Sequence, residues 1–151
     1  MLDRRGFLLL SGGAGLLLAC GGPPGPATVN ATVTGAAGMN PGPDGTDRPV
    51  TVTLLRLRDA GAFNSADVLA LQDPATALAA DLVGMDQIAV APGGTVAKTV
   101  VMEPEATQLG VMALFRDPTG KVWRQAVPVA PGSTVTANVS VGPGGLAVQV
   151  S

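Results

Sequence analysis

Few side chains in this chain could carry chemistry, and the absent types exclude more than the present ones allow. There is no histidine and no tyrosine. Ser–His and Cys–His nucleophile pairs need imidazole as the base, and a histidine-ligated zinc site needs its ring nitrogen, so both are excluded. The single cysteine, Cys20, has no second thiol with which to form an internal disulfide. Carboxylates remain. Asp67, Asp73, Asp81 and Asp86 fall in a stretch read below as a helical insertion, where capping and solvation account for them better than paired acid–base catalysis. Asp44 and Asp47 stand among glycines and could hold calcium or simply solvate a loop, and two carboxylates are few for an ion that takes about six to eight oxygens. Trp123 could stack on a ligand or seal a core or a sheet edge. No enzyme, cofactor or metal site is expected. A chain with this inventory is expected to bind another protein.

Cys20 has its own context. Residues 1–20 read MLDRRGFLLLSGGAGLLLAC, with Arg4 and Arg5 before an uncharged, mostly apolar run, Gly6–Ala19. That run is shorter than the roughly 20 residues a membrane-spanning helix needs. It also carries glycines at 12, 13 and 15, so it reads as a cleaved signal segment. Leu17-Leu18-Ala19-Cys20 resembles the lipobox of bacterial lipoproteins, which places cleavage after Ala19 and lipid on Cys20. Lipidation would also remove a thiol that is a liability in an oxidising compartment. Several acyl chains make a stable anchor where one is marginal. The Asp3–Leu9 run resembles a twin-arginine signal, and an arginine pair in an ordinary signal peptide fits equally, so both export routes stay open. Gly21 is not the aspartate that commonly retains lipoproteins at the inner membrane, so the outer membrane is expected, with the domain facing the periplasm. The expected organisation is a signal peptide at 1–19, lipidated Cys20 with a Gly/Pro tether to residue 27, and one domain over 28–151.

The mature chain must position these residues with short strands. Over the full sequence, 21 glycines, 13 prolines and 3% aromatic content favour turns over long helices. Val29, Ala31 and Val33 alternate with threonines and Asn30 as a half-buried strand. Gly35–Pro49 has no usable periodicity and is long for a compact domain. Val50–Arg58 resumes as a strand, and the apolar pair Leu54-Leu55 predicts a bulge or cover on both faces. Two short helices are expected. The first is capped by Asn64, with Asp67 at N3 and Phe63 stapled to Val68. The second opens on Asp73-Pro74 and ends at Gly84. Strands follow near 86–90 and 96–103. Leu109, Val111, Ala113 and Phe115 then share a buried face, with Met112 and Leu114 opposite. A turn at Asp117–Gly120 leads into a strand at Lys121–Val129. Val135, Ala137, Val139 and Val141 form another buried face, and Leu146, Val148 and Val150 finish the chain. About eight strands with Gly/Pro turns give an all-β fold, a sandwich in preference to a barrel. The net charge of −2 and scattered basic residues leave no patch for a phosphate backbone, so no nucleic acid is expected.

In order, Asn40-Pro41, Arg48-Pro49-Val50 with VTVTLLRLRD, Phe63–Asp67, Ala77-Leu78 and Asp81-Leu82 resemble the type VI secretion lipoprotein family, TssJ (VasD/SciN-like). Ala91–Gly94, LGVMALFRD and Val122-Trp123-Arg124 complete the resemblance, which covers about Thr28 to Val129. Arg56–Asp59 depart from the tyrosine-glutamine-leucine run common there, so no role is carried to Arg56 or Leu57. The resemblance implies a transthyretin-like sandwich of two sheets with a short helical insertion after the second strand. It also implies an outer-membrane lipoprotein that binds the periplasmic C-terminal domain of the inner-membrane protein TssM, which works with TssL. The family's contact loop between the first two strands maps to Gly35–Pro49. The candidate binding residues are Gly38, Met39, Asn40, Pro41, Gly42, Pro43, Asp44, Gly45, Thr46 and Asp47. Met39 is the one expected apolar anchor, and the loop is expected to add little to the core. The competing reading is a generic periplasmic transthyretin- or immunoglobulin-like binding module.

Overall fold

Alternation decides which face each strand buries. In β1 (Ala27–Gly35) the residues Ala27, Val29, Ala31 and Val33 point inward, and the threonines and Asn30 between them point out. The computed structural model describes residues 23–151. The expected signal segment, Cys20 as the expected lipid site, and the start of the expected tether lie outside the described residues. β1 pairs antiparallel with β4 (Thr95–Met102) and parallel with β7 (Thr134–Gly142), which pairs antiparallel with β8 (Gly145–Val150). This gives a four-stranded sheet in the order β4-β1-β7-β8. The second sheet runs β3-β2-β5-β6, with β2 at Val50–Leu57, β3 at Leu82–Val90, β5 at Gln108–Leu114 and β6 at Arg124–Pro128. The two inner faces close on one core, so the chain is an all-β sandwich of eight strands with a small helical insertion after β2.

The phase expected of the core strands holds. Leu109, Val111, Ala113 and Phe115 are buried between the sheets, as are Ala137, Val139 and Val141, while Val135 packs against that core partly buried. The apolar pair in β2 needs no bulge where it stands. Val50, Val52 and Leu54 face the inter-sheet core, and Leu55 and Leu57 face a second core under the insertion. The one register shift against β3 comes later, between Arg56 and Leu57.

The second core joins Leu55, Leu57 and Met112 of the sheet to Phe63, Leu71 and Leu78 of the insertion. The insertion holds α1 (Gly61–Ser65), a tight turn at Ala70–Gln72, α2 (Pro74–Leu78) and a second tight turn at Ala79–Asp81. Gly110 of β5 lies under it because a Cβ there would meet Leu57 at 3.0 Å and the Phe63 ring at 3.3 Å. Asp73 caps α2 as expected, accepting from the backbone N–H and hydroxyl of Thr76, with Pro74 at the first turn. The first helix differs from expectation. It starts before Asn64, with Asp59 accepting the Gly61 N–H at 2.9 Å, because that placement drives Phe63 into the second core instead of stapling it to Val68. Asp67 is no N3 residue; it accepts the Ala70 N–H at 2.8 Å and caps the following turn. α2 ends at Ala79, held at φ 50°, and not at Gly84. Gly84 and Asp86 belong to β3, not to the insertion. A Cβ at Gly84 would collide with the Arg56 guanidinium that lies across it.

β6 begins only at Arg124, so Trp123 stands just before it, partly buried against both cores, with the Arg124 guanidinium 4.5 Å from its ring centroid. That guanidinium donates to the carbonyls of Phe63 (2.7 Å) and Ala66, tying the end of α1 to the sheet. Across the sandwich, the Gln125 amide donates to the Val148 carbonyl at 3.2 Å and accepts its N–H at 3.1 Å. The free edge of β8 is thereby paired by a side chain. At the opposite edge Arg56 of β2 pairs with Asp86 of β3 at 2.7 Å, and its Nε lies 3.2 Å from Glu103 just after β4.

Candidate partner-binding surface

The loop joining β1 to β2 emerges at the end of β1 opposite the tether. It is built, not slack. Asp47 is its fulcrum: its carboxylate accepts the N–H of Gly38 at 2.6 Å and of Asn40 at 2.8 Å. Pro41 and Asp47 form an antiparallel bridge, and the Arg48 N–H returns to the Asn40 carbonyl at 3.0 Å. Within that clasp the Gly42 N–H reaches the Thr46 carbonyl and the Gly45 N–H reaches Gly42, both below 3.0 Å, so residues 42–46 make a tight tip. Gly45 takes φ 81° there, a left-handed conformation that glycine adopts without a Cβ clash. Asp44 accepts the Thr46 N–H at 3.0 Å and lies 3.4 Å from the Arg48 guanidinium. Both of those side chains are about half exposed, so the pair adds little.

Two candidate residues sit elsewhere than the sequence places them. Met39 is fully buried in the inter-sheet core, so it is not a solvent-facing anchor. Its sulfur packs where a Cβ on Gly35 would lie, 2.9 Å away. A flexible thioether fills that gap at the end of the sandwich because nothing else on this side of the loop is large and apolar. The loop therefore does contribute to the core. Asn40, 6% exposed, is a structural hinge. Its side-chain nitrogen donates to the Pro49 carbonyl at 3.1 Å, and its side-chain oxygen accepts the Arg116 N–H at 2.8 Å. One buried amide thus joins the loop to the chain after β5. The residues left facing solvent are Gly38, Pro41, Pro43, Asp44, Gly45 and Thr46, with Gly42 and Asp47 half-buried. The Asn-Pro dipeptide was the only sequence sign of this hinge, and Arg124's hold on α1 had none.

Hydrogen bonds set the charge state of this surface. The Asn40 N–H first, with help from the N–H of Gly38, holds the Asp47 carboxyl below its ordinary value although desolvation opposes it. The Thr46 N–H does the same for Asp44, and Thr119 for Asp117 in the neighbouring turn. Both loop carboxylates are already engaged by backbone donors, which is the role of a loop clasp. Among the described residues no three carboxylate, histidine or cysteine side chains converge on a point, no pocket opens, and no helix is long and apolar enough to cross a membrane. The arrangement offers a stiff, small-residue, hydrogen-bonding tip.

The fold is shared with solved structures. The lipoprotein TssJ1 of the type VI secretion system from Pseudomonas aeruginosa is 27% identical, with a TM-score of 0.78 over 83% of this chain and 97% of that one. A chain in a structure described as a type VI membrane complex is 26% identical, with a TM-score of 0.71 over 81% and 97%. A chain in a structure described as the TssM C-terminal domain from EAEC is 24% identical and has the same fold, with a TM-score of 0.68 over 81% and 97%. No curated protein sequence matches the chain. The family model for the type VI secretion lipoproteins VasD, EvfM and TssJ matches residues 27–144, from the first residue of β1 through the β7–β8 turn, and the chain belongs to that family.

Proposed function

We propose that this lipoprotein is anchored through Cys20 in the outer membrane and holds the periplasmic C-terminal domain of TssM with the tip of its β1–β2 loop. The observation that carries the reading is the family match across nearly the whole sandwich, and a chain of this fold in a type VI membrane complex supports it. The occurrence of the fold in a structure described as the TssM C-terminal domain favours that partner. In this reading TssL joins the complex through TssM. The loop suits the task because its clasp fixes the tip before binding, so little ordering entropy is lost on contact. Its solvent-facing residues are small and polar, which fits a modest interface rich in backbone hydrogen bonds.

The test is a titration of the TssM periplasmic domain into the mature domain, with a thermal melt on each variant. Pro43→Asp alters only an exposed tip residue that takes part in none of the clasp's hydrogen bonds. Affinity should fall by at least about tenfold while the melting temperature stays put. Unchanged affinity in that variant removes the contact from the tip. Anchoring is tested separately by Cys20→Ala, which should leave a folded domain that no longer fractionates with outer membranes. Retention after carbonate and salt washes would end the lipid-anchor reading.

A further inference from the structure

The outer face of the β4-β1-β7-β8 sheet is built unlike the rest of the surface. Every side chain that the alternation turns outward on it is uncharged, and none is aromatic. Its two central strands present Thr32 beside Asn138 and Asn30 beside Thr136, in parallel register. On the flanking strands the Thr99 hydroxyl donates to the Asn30 side-chain oxygen at 3.2 Å, and Gln149 lies beside Asn138. The sheet's one charged residue, Lys98, belongs to the inward-facing row and reaches around the edge to Asp86. The chain's other described charges fall on the second sheet, the insertion and the loops. An exposed sheet face without lysine or glutamate lacks the usual protection against association.

We propose that this face is where a second copy of the same chain packs, sheet against sheet, when both copies stand on one membrane. Three features select that occupant. With a two-fold axis along the strands between β1 and β7, the β1 row of one copy faces the β7 row of the other at the same level, Thr32 against Asn138 and Asn30 against Thr136, and no such pairing places charge against charge. A two-fold axis along the strands leaves both tethers leaving from the same end, because β1 starts at Ala27 on this very sheet. The area also fits. Four strands spaced about 4.8 Å apart and rising about 3.3 Å per residue present roughly 500 Å² of flat surface per copy. That is below the usual size for a stable complex in solution, and it becomes sufficient when lipid confines both copies to one leaflet and raises their effective concentration. The proposal rests on the lipid-anchor half of the functional reading and leaves the TssM contact, on the loop at the far end of β1, free.

The experiment uses the full lipidated chain in phosphatidylethanolamine/phosphatidylglycerol vesicles, where flotation first establishes anchoring. Thr136→Cys at the centre of the face should give a dimer with a short bismaleimide, and Gln87→Cys on the outer face of the other sheet should not. Adding Thr32→Lys and Asn138→Lys to the Thr136→Cys chain should lower the cross-linked fraction about tenfold. An equimolar mixture with a chain carrying Thr32→Asp, Asn138→Asp and Thr136→Cys should restore it, which requires both variants to be folded. Equal cross-linking at Gln87, or no response to the lysines, would mean random collision and overturns the proposal. Loss with lysine but no rescue in the mixture would assign the face to a different molecule and overturns it too. TssM titration of the soluble lysine variant should give wild-type affinity, so failure here and failure of the loop assignment are read independently.

Discussion

Met39 and Thr53 are both fully buried, and opposite costs attach to them. Met39 carries the loop's contribution to the core, so Met39→Ala should cost about 2–5 kcal/mol by the usual range for emptying such a site. Urea unfolding measures it. A loss under about 1 kcal/mol would show that the loop folds away from the sandwich and leaves the core intact. Thr53 sits on the outer row of β2 with its hydroxyl oxygen unpaired. Thr53→Val keeps the shape and removes the desolvated polar atom, so it should stabilise the domain by about 1 kcal/mol. At this scale the sequence was readable where alternation was clean, as at Val111 or Val139. It was unreadable at Met39, because a lone methionine among glycines and prolines gives no period to say which way it points.

In the β1–β2 loop and in the insertion alike, an ionic side chain takes two backbone groups at once. For the loop that side chain is Asp47. Its folded-state pKa lies below the ordinary 3.8, so the stabilisation is fully present above pH 3.8 and is lost as pH falls through the lower, folded value. Amide exchange at Gly38 and Asn40 should therefore stay slow at pH 5 and accelerate only below pH 3.8, and Asp47→Asn should remove that transition. A transition near pH 6 would mean that another group governs the loop. For the insertion the side chain is Arg124. Arg124→Ala strands the carbonyls of Phe63 and Ala66 at about 1–3 kcal/mol, so exchange should quicken through residues 61–81 with little change in β1 and β7. Uniform quickening across the domain would place Arg124 in the global core instead. The existence of both elements was legible, one from missing periodicity and one from the Asp73-Pro74 start. Their geometry was not, because the clasp and the α1 tie are contacts between residues far apart in sequence.

For the whole molecule, eight strands, two faces and the helical insertion were readable from turn spacing and alternation, and the family from ordered short motifs. The partnering of β1 was not, since nothing local reports that the first strand lies parallel to the seventh. That pairing has a mechanical consequence. β1 runs straight from the N-terminal end of the domain to the β1–β2 loop, with β4 on one side and β7 on the other. If the chain is anchored and bound as proposed, a pull between membrane and partner would act along the axis of β1, and both hydrogen-bond ladders would bear the load together in shear instead of opening one bond at a time. Single-molecule stretching between residue 24 and residue 44 should need clearly higher force than peeling β8 from residue 151. Equal forces would show that the load takes another path. In the proposed arrangement such a strand would act as a tie-rod beside a secretion apparatus: the stretch of chain nearest the anchor would also be the one that transmits tension.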